Sequence, residues 1–395
     1  MTKPGAPTIL TMRCLCDGRD RPRRFAKLQQ WQGRNRMTGV APRSIRACVS
    51  ALALAAAALG SVALGSAPAS AEEKQLVFGA SVPLLNDPAW VRIIDYAQFV
   101  AKQLNVKLDV VDAEGKEDKQ INDIQSLIAK HEDALLFVPV SAANAPAIIR
   151  LANRAHLPAV ATDRYPGFPA DDKDNPYMTF VGPDNVDCGR HIGEYLIAHG
   201  AKHFVAIKGT PGDANSQERF QGFKEAVDAH AKDGVKLLQE VGGLQTEDNG
   251  YLLMQNLLSA HPSGTIDGVF CYNDALCVGA YRAIKQAGRD KEMILGATDL
   301  NPQALELIRD KTNYVYSIGG HWVMLGFATM IAYDYLHGHK PLSPFSRIKD
   351  VGVDSAGFAK FKAQYIDHLP SFDIKQYMLT FNPNAKTQTP PLTLQ

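Results

Sequence analysis

From about residue 75 onward, short apolar runs alternate with longer amphipathic stretches, and the alternation starts afresh mid-chain. In the first series, strands are expected over residues 75–80, 106–111, 134–139 and 158–161. Helices are expected over 88–104, 118–130 and 144–155 between them. The second series reads strands at 203–208, 235–240, 268–272, 293–296 and 315–318. Its helices fall at 217–230, 250–259, 275–287, 302–310 and 323–335, and Phe220, Phe223 and Val227 recur at helical spacing in the first of these. Nearly continuous apolar strands separated by helices point to α/β architecture, with parallel sheets covered on both faces. With 395 residues, 46% of them hydrophobic, the chain is long enough for two such units, each with its own core.

In open α/β sheets, ligands settle beyond the carboxyl ends of the strands. Five polar places lie there: residues 86–90, Asp163-Arg164, residues 215–219, Asn273-Asp274 and Asp299.

Residues 1–71 stand apart. They hold 11 Lys/Arg and 2 Asp/Glu, and an apolar, alanine-rich run from about Val49 to Leu64 follows Arg43 and Arg46. Ala67-Pro68-Ala69-Ser70-Ala71 then supplies the small residues of a cleavage site. This is the order of a secretory signal peptide, with cleavage expected after about Ala71. Met37 opens a leader of ordinary length, so translation is expected to begin there. Removing 11 and 2 from the totals of 42 basic and 41 acidic residues leaves 31 and 39, a formal charge near −8. That balance disfavours nonspecific nucleic-acid binding, which relies on a basic surface. No later segment is long and apolar enough to span a bilayer. Cys188, Cys271 and Cys277 remain after cleavage. An odd number is no disulfide framework, which leaves either one bridge or three buried thiols.

At the five polar places the sequence resembles the periplasmic sugar-binding proteins of the ribose-binding type, which serve ABC transporters and sometimes chemoreceptors. The resemblance runs from about Leu76 to Ile348. It implies two Rossmann-like lobes joined by a three-crossover hinge, the type I periplasmic-binding-protein fold, with the solute in the cleft. The crossovers are expected near residues 182–185, 319–321 and 341–348. The implied division is a first lobe of residues 74–182 plus about 321–343 and a second of 183–319 plus about 348–381. A loose tail is expected over 382–395.

The resemblance also implies a ligand set. Asn86, in the Asn86-Asp87-Pro88-Ala89-Trp90 stretch, offers an amide, and Trp90 offers a ring to the apolar face of a sugar. Asp163 and Arg164 pair fixed acceptors with a rigid fork of donors, which hydroxyls satisfy together. Arg219, in Arg219-Phe220-Gln221-Gly222-Phe223, is the second guanidinium. Asn273 is expected to reach the solute while Asp274 caps the next helix. Asp299 completes the second lobe, and His321 follows Gly320 at the second crossover. Three positions depart from the family pattern. Ala89 replaces an aromatic, and Gln245 falls near the place of another. Gly320 stands where the family often has Gln, so either His321 replaces the lost amide or space opens for a larger solute. Beyond the last crossover, an extra helix is expected over 358–365 and an extra strand over 377–381.

The chain has neither a Gly-x-Ser-x-Gly elbow nor a His-Glu-x-x-His motif, and its histidines are scattered. An enzyme, such as one acting on carbohydrate, is therefore not expected, nor is a cofactor or a metal. The expected function is capture of a small polar solute, a sugar or polyol, in the periplasm for an ABC permease. The alternative is a sensory receptor for a small hydroxylated signal, working through a chemoreceptor or sensor kinase. No nucleic-acid partner is expected.

Overall fold

A computed structural model of the chain describes residues 74–85 and 88–394, excepting the side chains of residues 88 and 89. The expected leader, the Met37 start and the cleavage after Ala71 lie outside the described residues, as do Asn86 and the side chain of Ala89.

The strands are β1 (Val77–Val82), β2 (Lys107–Asp112), β3 (Ala134–Phe137), β4 (Ala159–Thr162), β5 (Thr179–Pro183), β6 (His203–Lys208), β7 (Lys236–Gly242), β8 (Gly268–Cys271), β9 (Ile294–Thr298), β10 (Tyr314–Gly319), β11 (Phe345–Ile348) and β12 (Val351–Val353). The helices are α1 (Pro88–Gln103), α2 (Glu117–Ala129), α3 (Ala145–Arg154), α4 (Asn185–Ala198), α5 (Ala214–Ala229), α6 (Glu247–Ala260), α7 (Asp274–Gln286), α8 (Pro302–Arg309), α9 (Met324–Leu336) and the short α10 (Phe358–Phe361). Two six-stranded sheets form, ordered β11-β5-β4-β3-β1-β2 and β12-β10-β9-β8-β6-β7. All pairings are parallel except β10 with β12. The central strands β3 (ALLF) and β8 (GVFC) are buried at every position, as expected of strands covered on both faces.

The chain passes between the sheets three times. It leaves the first after β5, returns after β10 when α9 packs on α1 and on β3, β4 and β5, and leaves again after β11. The last passage falls at Lys349-Asp350, later than the 341–348 expected. Phe345 holds β11 in the first sheet, its ring 4.8 Å from that of Phe180 and 5.7 Å from that of Tyr165. The Thr179 and Ser346 hydroxyls meet beside it at 3.1 Å.

In the second sheet's half, α4 and α5 touch backbone to backbone. A Cβ at Gly189 would lie 1.7 Å from the Arg219 carbonyl oxygen, and one at Gly222 would lie 1.8 Å from that of Val186. Backbone cannot yield as a side-chain end can, so this contact fixes the height of α5 and of Arg219 upon it. Gly222→Ala is expected to cost about 1–3 kcal/mol of stability through overpacking and to weaken solute binding. Denaturant melts and calorimetry on the variant check both.

The C-terminal segment departs most from expectation. Residues 358–366 form α10 and a π-helical turn, and residues 374–377 form a 3₁₀ turn rather than the start of a strand. Grouped with the second lobe on sequence, this segment touches α8 of that lobe and also packs on the first. Phe361 and Tyr365 meet Trp322, and Phe372 meets Phe327. The residues expected to form a loose tail are held as well, for Gln388, Thr389 and Leu392 are buried. The cause is a buried carboxylate on α9. Asp334 accepts from Leu379 N at 2.8 Å, Thr380 N at 2.9 Å, Thr380 Oγ1 at 2.7 Å and Gln388 Nε2 at 2.7 Å. From there the tail crosses the third passage. Thr389 Oγ1 donates to Arg347 O at 2.8 Å, and Leu392 N donates to Lys349 O at 3.3 Å.

Candidate functional site

A cleft of about 880 Å³ lies where loops at the carboxyl ends of both sheets converge. Its size suits a small ligand, for which pockets span about 300–1,000 Å³. Asp163, Arg164, Arg219, Asn273, Asp299 and His321 line it together. Trp90 does not join them; it is half-buried against the core of the first sheet.

Asp163 follows β4 and has φ 65°. Arg164 donates through Nη1 to the carbonyls of Pro139 (2.6 Å) and Val140 (2.8 Å). Its Nε stands 3.8 Å from Asp163 Oδ2. One edge of the fork is thereby anchored to the backbone after β3, and the group remains a third exposed.

Arg219 is almost wholly buried. Its Nε donates to Asn185 Oδ1 at 2.9 Å, and its Nη1 donates to Tyr272 O at 3.2 Å, to Asp299 Oδ1 at 3.2 Å and to Thr298 Oγ1. The guanidinium also lies 4.8 Å from the Tyr272 ring centroid. Burial works against its charge, but Tyr272 and the Asp299 carboxylate outweigh that and hold it above the ordinary guanidinium value. The group is thus a fixed cation with a fixed orientation.

Asp299 has φ 109° and the next residue, Leu300, has φ 56°. Two consecutive non-glycine residues with positive φ cost about 1–3 kcal/mol each, and such strain collects at functional sites. Here it turns a carboxylate out of the strand end toward Arg219.

In the neighbouring pair Asn273 takes both expected roles, and Asp274 takes neither. Asn273, extended at φ −145°, caps α7 by accepting from Leu276 N at 3.1 Å. It still lines the cleft, with its amide nitrogen outside that bond. Asp274, expected at the cap, is fully buried. It accepts from Tyr314 Oη at 2.6 Å, Ser317 Oγ at 2.8 Å and Asn301 N at 2.7 Å. Burial first, and then the Asp299 carboxylate, push its pKa up to about 7 against the pull of those donors.

His321 lies at the second passage, Nδ1 3.8 Å from Asp350 Oδ2. Burial would lower its pKa; the Asp350 carboxylate outweighs burial and raises it. Among the described residues, neither His321 Nδ1 nor Asp350 Oδ1 has a hydrogen-bond partner. Gly320 does not open space for a larger solute. Its φ is 131°, and a Cβ there would lie 2.0 Å from Leu392 Cδ1. The tail fills the place that a side chain at residue 320 would take.

Sequence reasoning passed over Tyr272, Asp213 and Tyr165, which also line the cleft. Tyr272 directly follows β8, so the strand-end rule could have found it. Asp213 caps α5 and accepts from Gln245 Nε2 at 2.6 Å, which gives Gln245 a fixed place in the wall. Cys188, Cys271 and Cys277 are all free and buried, so the thiol alternative holds over the bridge. Among the described residues, no group of three His, Cys, Asp or Glu is placed to hold a metal ion, and no helix is long and apolar enough to cross a membrane.

Residues 78–340 match the periplasmic binding protein domain family. The chain is 30% identical over 275 residues to a ribose import binding protein of Bacillus subtilis (strain 168), covering 69% of this chain and 85% of that protein. It is 29% identical over 221 residues to a galactofuranose-binding protein of Escherichia coli (strain K12), covering 54% and 68%. A solved galactofuranose binding protein superposes with a TM-score of 0.64 at 25% identity, covering 74% of this chain and 99% of that structure.

Proposed function

The chain belongs to the periplasmic binding protein domain family, and from that premise we propose that it is an exported receptor that captures a sugar or polyol and delivers it to an ABC permease. Members of this family are binding proteins rather than enzymes, so the cleft is read as a receptor site. One observation carries the reading. Asp163 and Arg164 at the end of one sheet face the same cleft as Arg219, Asn273 and Asp299 at the ends of the other.

The chemistry of the wall supports a neutral, hydroxyl-rich solute. Both guanidiniums already stand beside carboxylates, so neither cation is left to demand an anionic ligand. A hydroxyl donates to a carboxylate and accepts from a guanidinium or amide, and so matches alternating groups of this kind. The relatives named for ribose and galactofuranose favour a sugar within that class. Residues 74–182 with about 321–348, and 183–319 with about 350–357, are the two bodies we take to close on the solute; the segment from Phe358 travels with the first. A solute that bridges them favours the closed state by its differential contact.

A thermal-shift screen across pentoses, hexoses, inositols and linear polyols tests the class. A stabilising shift with at least one member is expected, and no shift with any would overturn the reading. Arg164→Ala is expected to weaken calorimetric binding of the responding solute by roughly 10-fold or more, since a lost charged hydrogen bond is worth about 1.5–3 kcal/mol. Unchanged affinity would remove Arg164 from the site.

A further inference from the structure

We propose that Asp274, which does not line the cleft, is the positioning residue for Asp299: it clamps the strained loop Asp299–Asn301 in the conformation that presents the Asp299 carboxylate to solute. The inference rests on the ligand role of Asp299 proposed above.

The loop departs from β9 through two residues with positive φ. Such a stretch persists only where its surroundings over-determine it. Each of its backbone donors is held. Asp299 N donates to Ile318 O at 2.9 Å, and Leu300 N donates to Ser317 Oγ at 3.1 Å. Asn301 N donates to Asp274 Oδ2 at 2.7 Å. Ser317 in turn donates to Asp274 Oδ1 at 2.8 Å, and Tyr314 Oη donates to the same oxygen at 2.6 Å. Asp274 therefore grips the loop twice, directly at Asn301 and through Ser317 at Leu300. The Tyr314 hydroxyl fixes the carboxylate against β10. Asp274 is fully buried, so bulk solvent does not compete for these donors.

Asp274 also follows Asn273, the cap of α7 that lines the cleft. One buried carboxylate thereby ties the start of α7 to the loop after β9, while Asn273 itself is held by Leu276 N. A network built only for stability has no need to grip residues that adjoin a ligand on both elements.

A double-mutant cycle separates positioning from general stability. Asp274→Ala is made in the wild-type and Asp299→Asn backgrounds, and D-ribose and D-galactose binding is measured by calorimetry. Amide hydrogen exchange at Leu300 and Asn301 is followed in the same proteins. The expected result is a roughly 10- to 100-fold loss of affinity in the wild-type background. Less than about 2-fold further loss is expected once Asp299 is changed, and both amides should exchange faster. Equal losses in both backgrounds, or unaltered exchange, would overturn the clamp. Unchanged affinity in Asp299→Asn alone would instead overturn the ligand role of Asp299. Should Asp274→Ala not fold, Ser317→Ala cuts the grip on Leu300 alone and is read by the same cycle.

Discussion

Arg219→Ala is expected to weaken solute binding by roughly 30- to 4,000-fold, the equivalent of about 2–5 kcal/mol for removing one partner of a buried, hydrogen-bonded charge pair. The size follows from the acceptors gathered on one guanidinium: the Asn185 amide oxygen, the Tyr272 carbonyl, Thr298 Oγ1 and the Asp299 carboxylate. Removing the group takes a donor from each of them at the wall of the cleft, leaves the Thr298 hydroxyl bridging Tyr272 O and Asp299, and frees the Asp299 carboxylate to turn away. Arg219→Lys is expected to recover only part of the loss, because an ammonium keeps the charge but not the planar fork. Isothermal calorimetry on both variants, with circular dichroism to verify the fold, decides the point. An alanine variant that binds as the wild type does would exclude Arg219 from recognition.

Asp334→Ala is expected to cost about 3–5 kcal/mol of stability, as several charge-assisted hydrogen bonds are lost at once and do not add fully. The donors it leaves behind belong to the C-terminal segment, at Leu379, Thr380 and Gln388. The loss should therefore appear as early proteolytic cleavage after about residue 370, together with a lower urea midpoint. Asp334→Asn keeps an acceptor oxygen and should fall between. A variant whose tail stays protease-resistant would show that apolar contacts, such as those of buried Leu392, hold it without the carboxylate.

The fold was legible because it follows from apolar patterning. Runs such as Ala134–Phe137 and Gly268–Cys271 admit little but strands buried on both faces. The charged part of the cleft was legible because the family resemblance picked out Asp163-Arg164, which also stand at a strand end, and Arg219, which stands within α5. What escaped was set by backbone geometry or by distant contacts. Asn273 and Asp274 are both good helix caps, and only the φ of Asn273 and the donors around Asp274 decide which residue caps. The positive φ of Asp163 and Asp299 leaves no trace in composition. Trp90 suits a sugar-stacking ring and a core residue equally, and its type alone does not tell that it lies half-buried against the first core. The Thr-, Pro- and Gln-rich tail reads as loose because its anchor, Asp334, lies on a helix far upstream.

The meeting of Leu392 with Gly320 makes two positions remote in sequence a single compound locus. A side chain larger than hydrogen at 320 and a leucine at 392 compete for one volume. Placing an amide side chain at residue 320, in order to redirect specificity, would therefore strain the backbone at φ 131° and require the Leu392 side chain to move. The graft must trim residue 392 and relax the backbone at 320 together. Among homologues the same exclusion should be visible as covariation, glycine at the crossover travelling with a tail long enough to cover it.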